Sequence, residues 1–496
     1  MNRPIRNLAI ACLVLFLSLM VNATYLQFFA VDDLSSLVKH PDNSRVSIAA
    51  FSSPRGDILV NGRAIAHSVP SKDRYKYLRE YPENSMYAHI VGYFGRYPVG
   101  GLEASENSVL TGQSPELFAN RVSNVLSNTP PAGGNVSLTL NAKAQQAAYL
   151  GLKALGNNIQ GAVVAIEPST GKILAMVSSP TFDPNKIASH DFTAANAYYS
   201  RMLNNKTLIP LDNRAIENPL PPGSTFKLIT AAAALSSGRY HPDSLVPGGA
   251  VLNVPQTTAD IHNESRGSCG AAKITLTRAL DVSCNVAFGA VGLDLGANAL
   301  LAQAEKFGFN QTTSYFTDLD DPLTSTNTSV FPKGINIPQT AQSAIGQYEV
   351  SATPLQMAMV ASAIANNGTL MKPYLVSEFR SADLDVIKPF NPQVFSHPIS
   401  AAVASDLAGM MVDVVNNGTG RSAQIPGIAV AGKTGTAQSS PSRPPYAWFV
   451  SFAPALNAKV AVAVLIQDAG VARNQISGAG LAAPIAKRVM EAVLNQ

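Results

Sequence analysis

Apolar positions recur along this chain with several periods, and each period predicts a different element. From Asn7 to Val31 no charged side chain occurs, a run long enough to cross a bilayer as one helix. Alternating or continuously apolar short runs predict strands. These include "NVSLTL" at Asn135–Leu140 and "GAVVAIEPSTGKILAMVSS" at Gly161–Ser179, the latter as two strands joined by the "PSTG" turn. More strands are expected near the end, in "GIAVAGKTGTAQ", "YAWFVSFAP" and "KVAVAVLIQD". A hairpin is expected over Arg55–Val69, where Asn61-Gly62 is the turn dipeptide. The spacing of apolar residues predicts helices in "NAKAQQAAYLGLKAL" and "GLAAPIAKRVMEAVLNQ", and long helical tracts in the middle such as Lys273–Leu295. Strands near both ends with helices between them predict an α+β domain, its antiparallel sheet closed by its terminal segments.

Composition adds little to this picture. Of the 496 residues, 46% are apolar and 14% charged, which describes a globular chain with a large core rather than a disordered one. The net charge of +4 is spread without basic runs, so nothing points to nucleic acid. Three cysteines at these positions match no zinc spacing.

Charge does orient the N-terminal run. Arg3 and Arg6 precede it and Asp32 and Asp33 follow, which keeps the N-terminus cytoplasmic and places the rest of the chain outside. A cleaved signal peptide is the competing reading, because Val21-Asn22-Ala23 is a passable cleavage site. The apolar character continues past that point through "TYLQFF", which favours an uncleaved anchor. Outside the anchor only Cys269 and Cys284 remain, in a compartment that permits disulfides; they pair, or both stay free and buried. Pro and Gly cluster in "SNTPPAGGN", Ser127–Asn135, and mark a boundary. The expected organisation is an anchor at 1–31, an N-terminal module at 32–130 and a main domain at 131–496.

Three short motifs carry candidate chemistry. In "NPLPPGSTFKLITAAAAL" a lysine, Lys227, stands at the mouth of an apolar helix, three residues after Ser224. A buried ammonium is costly unless paired or deprotonated. A neutral lysine near a second cation can take a proton from serine, which is serine activation without histidine. Alone the pair means little, since Ser36–Lys39 and Ser169–Lys172 share the spacing. Ser283 and Asn285 form a Ser-x-Asn in "DVSCNVAFG", between two apolar helical stretches, where a short interruption can point a hydroxyl and an amide into a cleft; Ser105–Asn107 and Ser325–Asn327 are rivals, and a helix-capping serine is the plainer reading. The third motif, Lys433-Thr434-Gly435-Thr436, is the only Lys-Thr-Gly in the chain. Its glycine on an expected strand makes sense where another backbone approaches closely.

In this order the three motifs resemble the active-site serine set of penicillin-binding proteins and β-lactamases. The chain resembles the class B penicillin-binding proteins in particular, over nearly its whole length. The resemblance includes "RGDILVNG", "GGLEASENSVLTG", "NRAIENPLPPGSTFK", "AIGQYEVSATPLQMA", "NNGTG", "AGKTGTAQ" and "AWFVSFAP". Asn141 stands where that family often has Asp, and Tyr348 and Ser451 stand where it often has Gly.

The resemblance implies a transpeptidase fold with an antiparallel sheet, flanking helices, an all-helical subdomain and an N-terminal pedestal or dimerisation-type module. It implies a D,D-transpeptidase that cross-links peptidoglycan stem peptides through an acyl-enzyme on Ser224 and is inhibited by β-lactams. Lys227 would be the general base. Ser283 and Lys433 would relay a proton, and Asn285 would orient the substrate. The backbone N–H groups of Ser224 and Thr436 would hold the oxyanion, with Thr434, Gly435 and Thr436 lining the carboxylate subsite. No metal or cofactor is required. Partners would be a glycan polymerase of the shape and division family and other septal proteins. Asp183, Arg214 and Trp448 read as structural. The alternatives are a D,D-carboxypeptidase and a β-lactamase; the Glu491–Asn495 run follows the third motif and cannot be the deacylation loop of class A β-lactamases.

Overall fold

The structure, a computed structural model, describes residues 3–30, 48, 50–96, 99–118, 132–156, 158–311, 327–438 and 443–495. The rival pair Ser36–Lys39, Ser325 and residues 127–131 of the boundary stretch lie outside these. The chain forms two compact units, residues 1–54 with 69–78 and residues 55–68 with 79–496.

In the first unit, helix α1 (Arg3–Thr24) runs into a π-helical turn at Tyr25–Phe29. The segment Arg3–Phe28 spans 26 residues, is apolar enough to cross a membrane and has no buried residue. Its hydroxyls are satisfied internally: Ser18 and Thr24 donate to the carbonyls of Leu15 and Met20 at 2.8 and 2.9 Å. Lipid offers no partner for such groups, so this is the arrangement a bilayer requires.

Two main sheets frame the second unit, beside several two-stranded ones. The strands of the main sheets include β1 (Ile58–Val60), β2 (Arg63–Pro70), β3 (Asn135–Leu138), β4 (Gln160–Ile166), β5 (Ile173–Ser179), β6 (Val376–Arg380), β7 (Val386–Pro389), β8 (Ala431–Ala437), β9 (Tyr446–Ala453) and β10 (Val460–Asp468). Its main helices are α2 (Ala142–Lys153), α3 (Lys227–Ser236), α4 (Leu276–Asp281), α5 (Asn285–Leu295), α6 (Pro354–Ala365), α7 (Ala401–Asn416) and α8 (Ala483–Leu494).

β1 and β2 form the expected hairpin, with Asn61 and Gly62 both at positive φ, 50° and 77°. That conformation matches the strand twist and suits Asn-Gly. The smaller sheet, of six shorter strands, contains the run β7-β6-β3-β1-β2, so residues from the far end of the chain complete it. Beside it Glu103 is buried between Arg55 and Arg79, at 2.9 and 2.6 Å.

The larger sheet runs β8-β9-β10-β4-β5 and is antiparallel throughout. Strands from both ends of the domain thus close it, as the apolar pattern predicts. Both faces are covered. Val163, Ala165, Val462 and Val464 pack with Ala144 of α2 and Ile485 and Val489 of α8. Ala162, Val164, Ala463 and Leu465 belong to the core that includes Met357 and Val360 of α6. Burial on two faces explains why these strands read as continuous apolar runs rather than alternating ones. Asn141 caps α2 by accepting from the Ala144 amide at 2.9 Å, a task Asp performs equally well.

One expectation is corrected: Lys273–Thr275, read as the start of a helical tract, is a strand. The short interruption expected at Ser283 is present, with Val282-Ser283-Cys284 separating α4 from α5. Ser283 breaks the helix because it sits at φ 57°, in the left-handed region.

Candidate active site

Three local structures bring the motifs together. The first is the turn before α3. Gly223–Phe226 is a 3-10 turn and the α-helix begins at Lys227. Side chains three apart nearly eclipse in a 3-10 turn, so Ser224 and Lys227 meet. Gly223 is at φ 52°, and a Cβ there would lie 2.9 Å from the Ala437 Cα and 3.0 Å from the Thr436 carbonyl oxygen. Only glycine lets the serine turn seat against β8 so closely. Trp448, fully buried on β9, donates its indole N–H to the Pro221 carbonyl at 2.9 Å and fixes the entry to the same turn.

The second is the break between α4 and α5. Cys284, not Ser283, occupies the N-cap position of α5, which frees the serine hydroxyl to face the lysines. Cys284 is bonded to Cys269. Asn263 reinforces this link: its carboxamide oxygen accepts from the Val286 amide at 3.1 Å, and its amide donates to the Gly249 and Gly267 carbonyls. Together they fasten the loop that carries His262 and Glu264 to the mouth of the site.

The third is β8. Strand alternation turns Lys433 inward, and Gly435 explains itself by contact. A Cβ there would lie 2.9 Å from Thr225 Cγ2 and 3.0 Å from the Pro222 carbonyl oxygen. The close approach expected of this glycine is therefore made by the serine turn.

The side chains converge in one network. Lys227 Nζ lies 3.0 Å from Ser224 Oγ, 2.7 Å from the Ser283 carbonyl oxygen, 2.7 Å from Asn285 Oδ1 and 3.2 Å from Ser283 Oγ. Lys433 Nζ lies 2.9 Å from Ser283 Oγ and 2.8 Å from the Thr434 carbonyl oxygen. Both lysines are fully buried. Among the described residues no carboxylate pairs directly with either, so burial holds Lys227 well below the ordinary lysine range and the charge of Lys433 lowers it further. Burial likewise pushes Lys433 down to about 7, against the opposing charges of Glu264 and Asp281. A neutral Lys227 has two hydrogens for its two 2.7 Å acceptors and a lone pair facing Ser224. The network can therefore take a proton from Ser224 and pass one through Ser283.

Ser224, Asn285 and Thr436 line a cleft of about 540 Å³, walled by His262, Glu264 and Tyr348 among others. Thr434 is nearly covered, its hydroxyl 2.6 Å from that of Thr419. Ser169 lies in the β4–β5 turn, away from this constellation. Asp183 caps a short helix by accepting from the Asn185 amide, and buried Arg214 donates to the Ile209 and Leu208 carbonyls.

Three features escape the motif reading. Glu264 is the exposed carboxylate whose field reaches both lysines; no local pattern marks it. Thr419 of "NNGTG" meets Thr434 only through the fold. Tyr348 adopts φ 61°, which accounts for glycine at this place in the resembled family; its departure from that pattern was the available signal.

The chain matches two family models. A penicillin-binding-protein transpeptidase domain covers residues 161–491, and a dimerisation domain described for penicillin-binding protein A covers residues 55–136. It is 39% identical over 502 residues to the peptidoglycan D,D-transpeptidase PbpA of Mycolicibacterium smegmatis, with all of both chains covered. It is 38% identical over 505 residues to the PbpA of Mycobacterium tuberculosis, covering 100% of this chain and 99% of that one. The structure resembles penicillin-binding protein A from M. tuberculosis as its ceftriaxone acyl-enzyme complex, with a TM-score of 0.85 and 37% identity over 90% of this chain and 100% of that one. It also resembles the penicillin G acyl-enzyme complex, with a TM-score of 0.83 and 37% identity over 89% of this chain and 100% of that one. The sheet order, the three converging motifs and these likenesses agree, and the chain belongs to the penicillin-binding-protein transpeptidase family.

Proposed function

We propose that this protein is a peptidoglycan D,D-transpeptidase that β-lactams acylate. The observation that carries the reading is the buried lysine amine 3.0 Å from Ser224 Oγ, joined through Ser283 to a second lysine of lowered basicity.

Ser224 Oγ attacks the carbonyl between the last two D-alanines of a stem peptide, and its proton passes to Lys227 Nζ. The tetrahedral oxyanion rests on the backbone N–H groups of Ser224 and Thr436; losing such a donor costs on the order of 10²–10³ in rate. As the C–N bond breaks, Ser283 hands a proton to the departing D-alanine amine and Lys433 supports the relay. Asn285 orients the peptide amide. Thr436, with Thr434 behind it, takes the terminal carboxylate, and Gly435 keeps the strand close to the serine. The amine of a second stem peptide then attacks the ester carbonyl, gives its proton to the lysine network and releases Ser224. A β-lactam follows the first half of this course and stays on the serine.

Intact-mass measurement of the protein with benzylpenicillin, with Ser224→Ala as control, tests the reading. A lasting adduct that the control lacks is expected. Rapid drug hydrolysis without an adduct would instead mark a β-lactamase, and release of D-alanine to water without cross-linking would mark a D,D-carboxypeptidase.

Around this activity, residues 1–31 serve as a single-pass anchor with a cytoplasmic N-terminus, residues 32–130 as a pedestal and docking module, and residues 131–496 as the extracytoplasmic catalytic domain. The charge arrangement around the apolar run supports this orientation. A polymerase of the shape and division family would supply the glycan strands, and division proteins would place the enzyme at the septum. Normal septal cross-linking after deletion of the 32–130 module would refute that docking role.

A further inference from the structure

Tyr348 stands on the wall of the cleft with its backbone at φ 61°, in the left-handed region. A bulky side chain there is a backbone outlier, and such a conformation persists only where the surrounding structure fixes it. The chain is fixed on both sides of this residue. Before it, the Gly346 carbonyl accepts from the Gly223 amide at 3.0 Å, and a Cβ on Gly346 would lie 2.1 Å from the Gly223 carbonyl oxygen. After it, Ala352 and Leu220 exchange backbone hydrogen bonds at 2.9 and 3.0 Å, and Ser351 and Val330 exchange theirs at 3.0 and 2.8 Å. Gly346 and Ala352 are thus both tied to the segment Leu220–Gly223 that leads into Ser224. The turn between them, which Tyr348 occupies, is held by the same ties.

The rest of the cleft shows what this position offers. Its exposed lining is largely polar and includes Asp260, His262, Glu264 and Arg266. Of its apolar side chains among the described residues, Ile261, Ile345, Pro445 and Ile476 are buried, whereas Tyr348 is 37% exposed. One ring therefore supplies most of the apolar surface that an occupant of the cleft can cover. In the transpeptidase reading, Thr434 and Thr436 of β8 hold the carboxylate of the leaving end. Tyr348 is carried instead by the segment bonded to the serine turn. The end of the ligand that stays on Ser224 is the end left for it.

We propose that Tyr348 is a specificity-determining residue whose ring packs on the apolar part of the acyl group that Ser224 receives. The proposal rests on the transpeptidase reading and names the part of the acyl donor that the cleft selects. The ligand that fits carries an aromatic or extended methylene group beyond the carbonyl that Ser224 attacks. In the substrate this is a stem-peptide side chain, and in benzylpenicillin it is the phenylacetyl group. An aromatic ring gives such a group a large apolar contact at little cost in side-chain freedom. Glycine at this position would relieve the backbone and lose the contact. The left-handed tyrosine therefore gives up stability for recognition.

The test follows adduct formation on the full-length protein with benzylpenicillin and with aminopenicillanic acid, the same nucleus without the phenylacetyl group. Tyr348→Gly should lower the ratio of the two second-order rates, benzylpenicillin over aminopenicillanic acid, about fivefold. It should also raise the unfolding temperature by on the order of 1–2 °C. Tyr348→Phe keeps the ring and should keep the wild-type ratio. Tyr348→Asn tolerates the left-handed backbone but lacks the ring, so its ratio should fall as the glycine variant's does; it decides the matter if the glycine variant does not fold. A ratio that stays at the wild-type value in these two variants overturns the proposal even where both rates drop, because equal losses mark a structural role. A ratio that falls as far in Tyr348→Phe assigns the effect to the hydroxyl and overturns the role of the ring. A lower unfolding temperature in Tyr348→Gly overturns the exchange of stability for recognition. Should wild type form no adduct with either compound, the transpeptidase reading itself fails and the proposal falls with it.

Discussion

Lys433 combines two properties that rarely coexist: it is fully buried and, among the described residues, its amine has no carboxylate partner within contact. Burial lowers its basicity to about 7, so the folded state keeps it neutral at a pH where the unfolded chain is charged. Stability is therefore lost as pH falls from the ordinary 10.5 towards about 7, and changes little from this group below that. Lys433→Met removes the amine and fills similar volume. Calorimetry should show the thermal advantage of the variant growing as pH falls from 10 to 7, while adduct formation on Ser224 is lost. An advantage that does not grow over that range would mean that Lys433 remains charged in the fold. At this scale the sequence was informative about residue types and poor about their state. Ser224, Lys227, Ser283 and Lys433 could be picked from spacing, but their protonation follows from burial that no local pattern reports.

At the scale of elements, the site depends on how closely the serine turn rides on β8. Gly435→Ala tests this contact, because the new methyl would meet Thr225 and the Pro222 carbonyl inside 3.0 Å or at it. Backbone cannot yield as a flexible side chain does, so a destabilisation of about 1–3 kcal/mol is expected by urea unfolding, together with slower acylation. A neutral substitution would show that the turn can retreat. The strands here were legible in the sequence because both faces of the larger sheet bury apolar side chains. The interruption at Ser283 was legible between its two apolar stretches, but not the left-handed backbone that makes it. The disulfide between Cys269 and Cys284 also needed the fold: the sequence left both pairing and free burial open, and the loop geometry places their Cα atoms 5.9 Å apart.

For the whole molecule, the first unit sets the location and the second the chemistry. The Arg3–Phe28 helix exposes its apolar side chains on every side, which water would not tolerate and a bilayer would reward. The full-length protein should remain in the membrane fraction after an alkaline wash, and a chain without residues 3–28 should leave it. Retention of the shortened chain would place the membrane contact elsewhere. The second unit also carries a buried charge cluster, Arg55–Glu103–Arg79, which ties "RGDIL" to "GGLEASENSVLTG" through Arg55 and Glu103.

The sequence by itself determined the apolar N-terminal helix, the strands of the larger sheet, the hairpin at Asn61-Gly62 and the three motifs. Each rests on local spacing, and local spacing survives in a linear chain. Tertiary structure alone decided how closely the serine turn seats on β8, that β3 is completed by strands from beyond residue 375, and that Thr419 meets Thr434 hydroxyl to hydroxyl. These depend on burial and on contacts between remote segments, where removal from water sets charge, and no window of neighbouring residues contains that information.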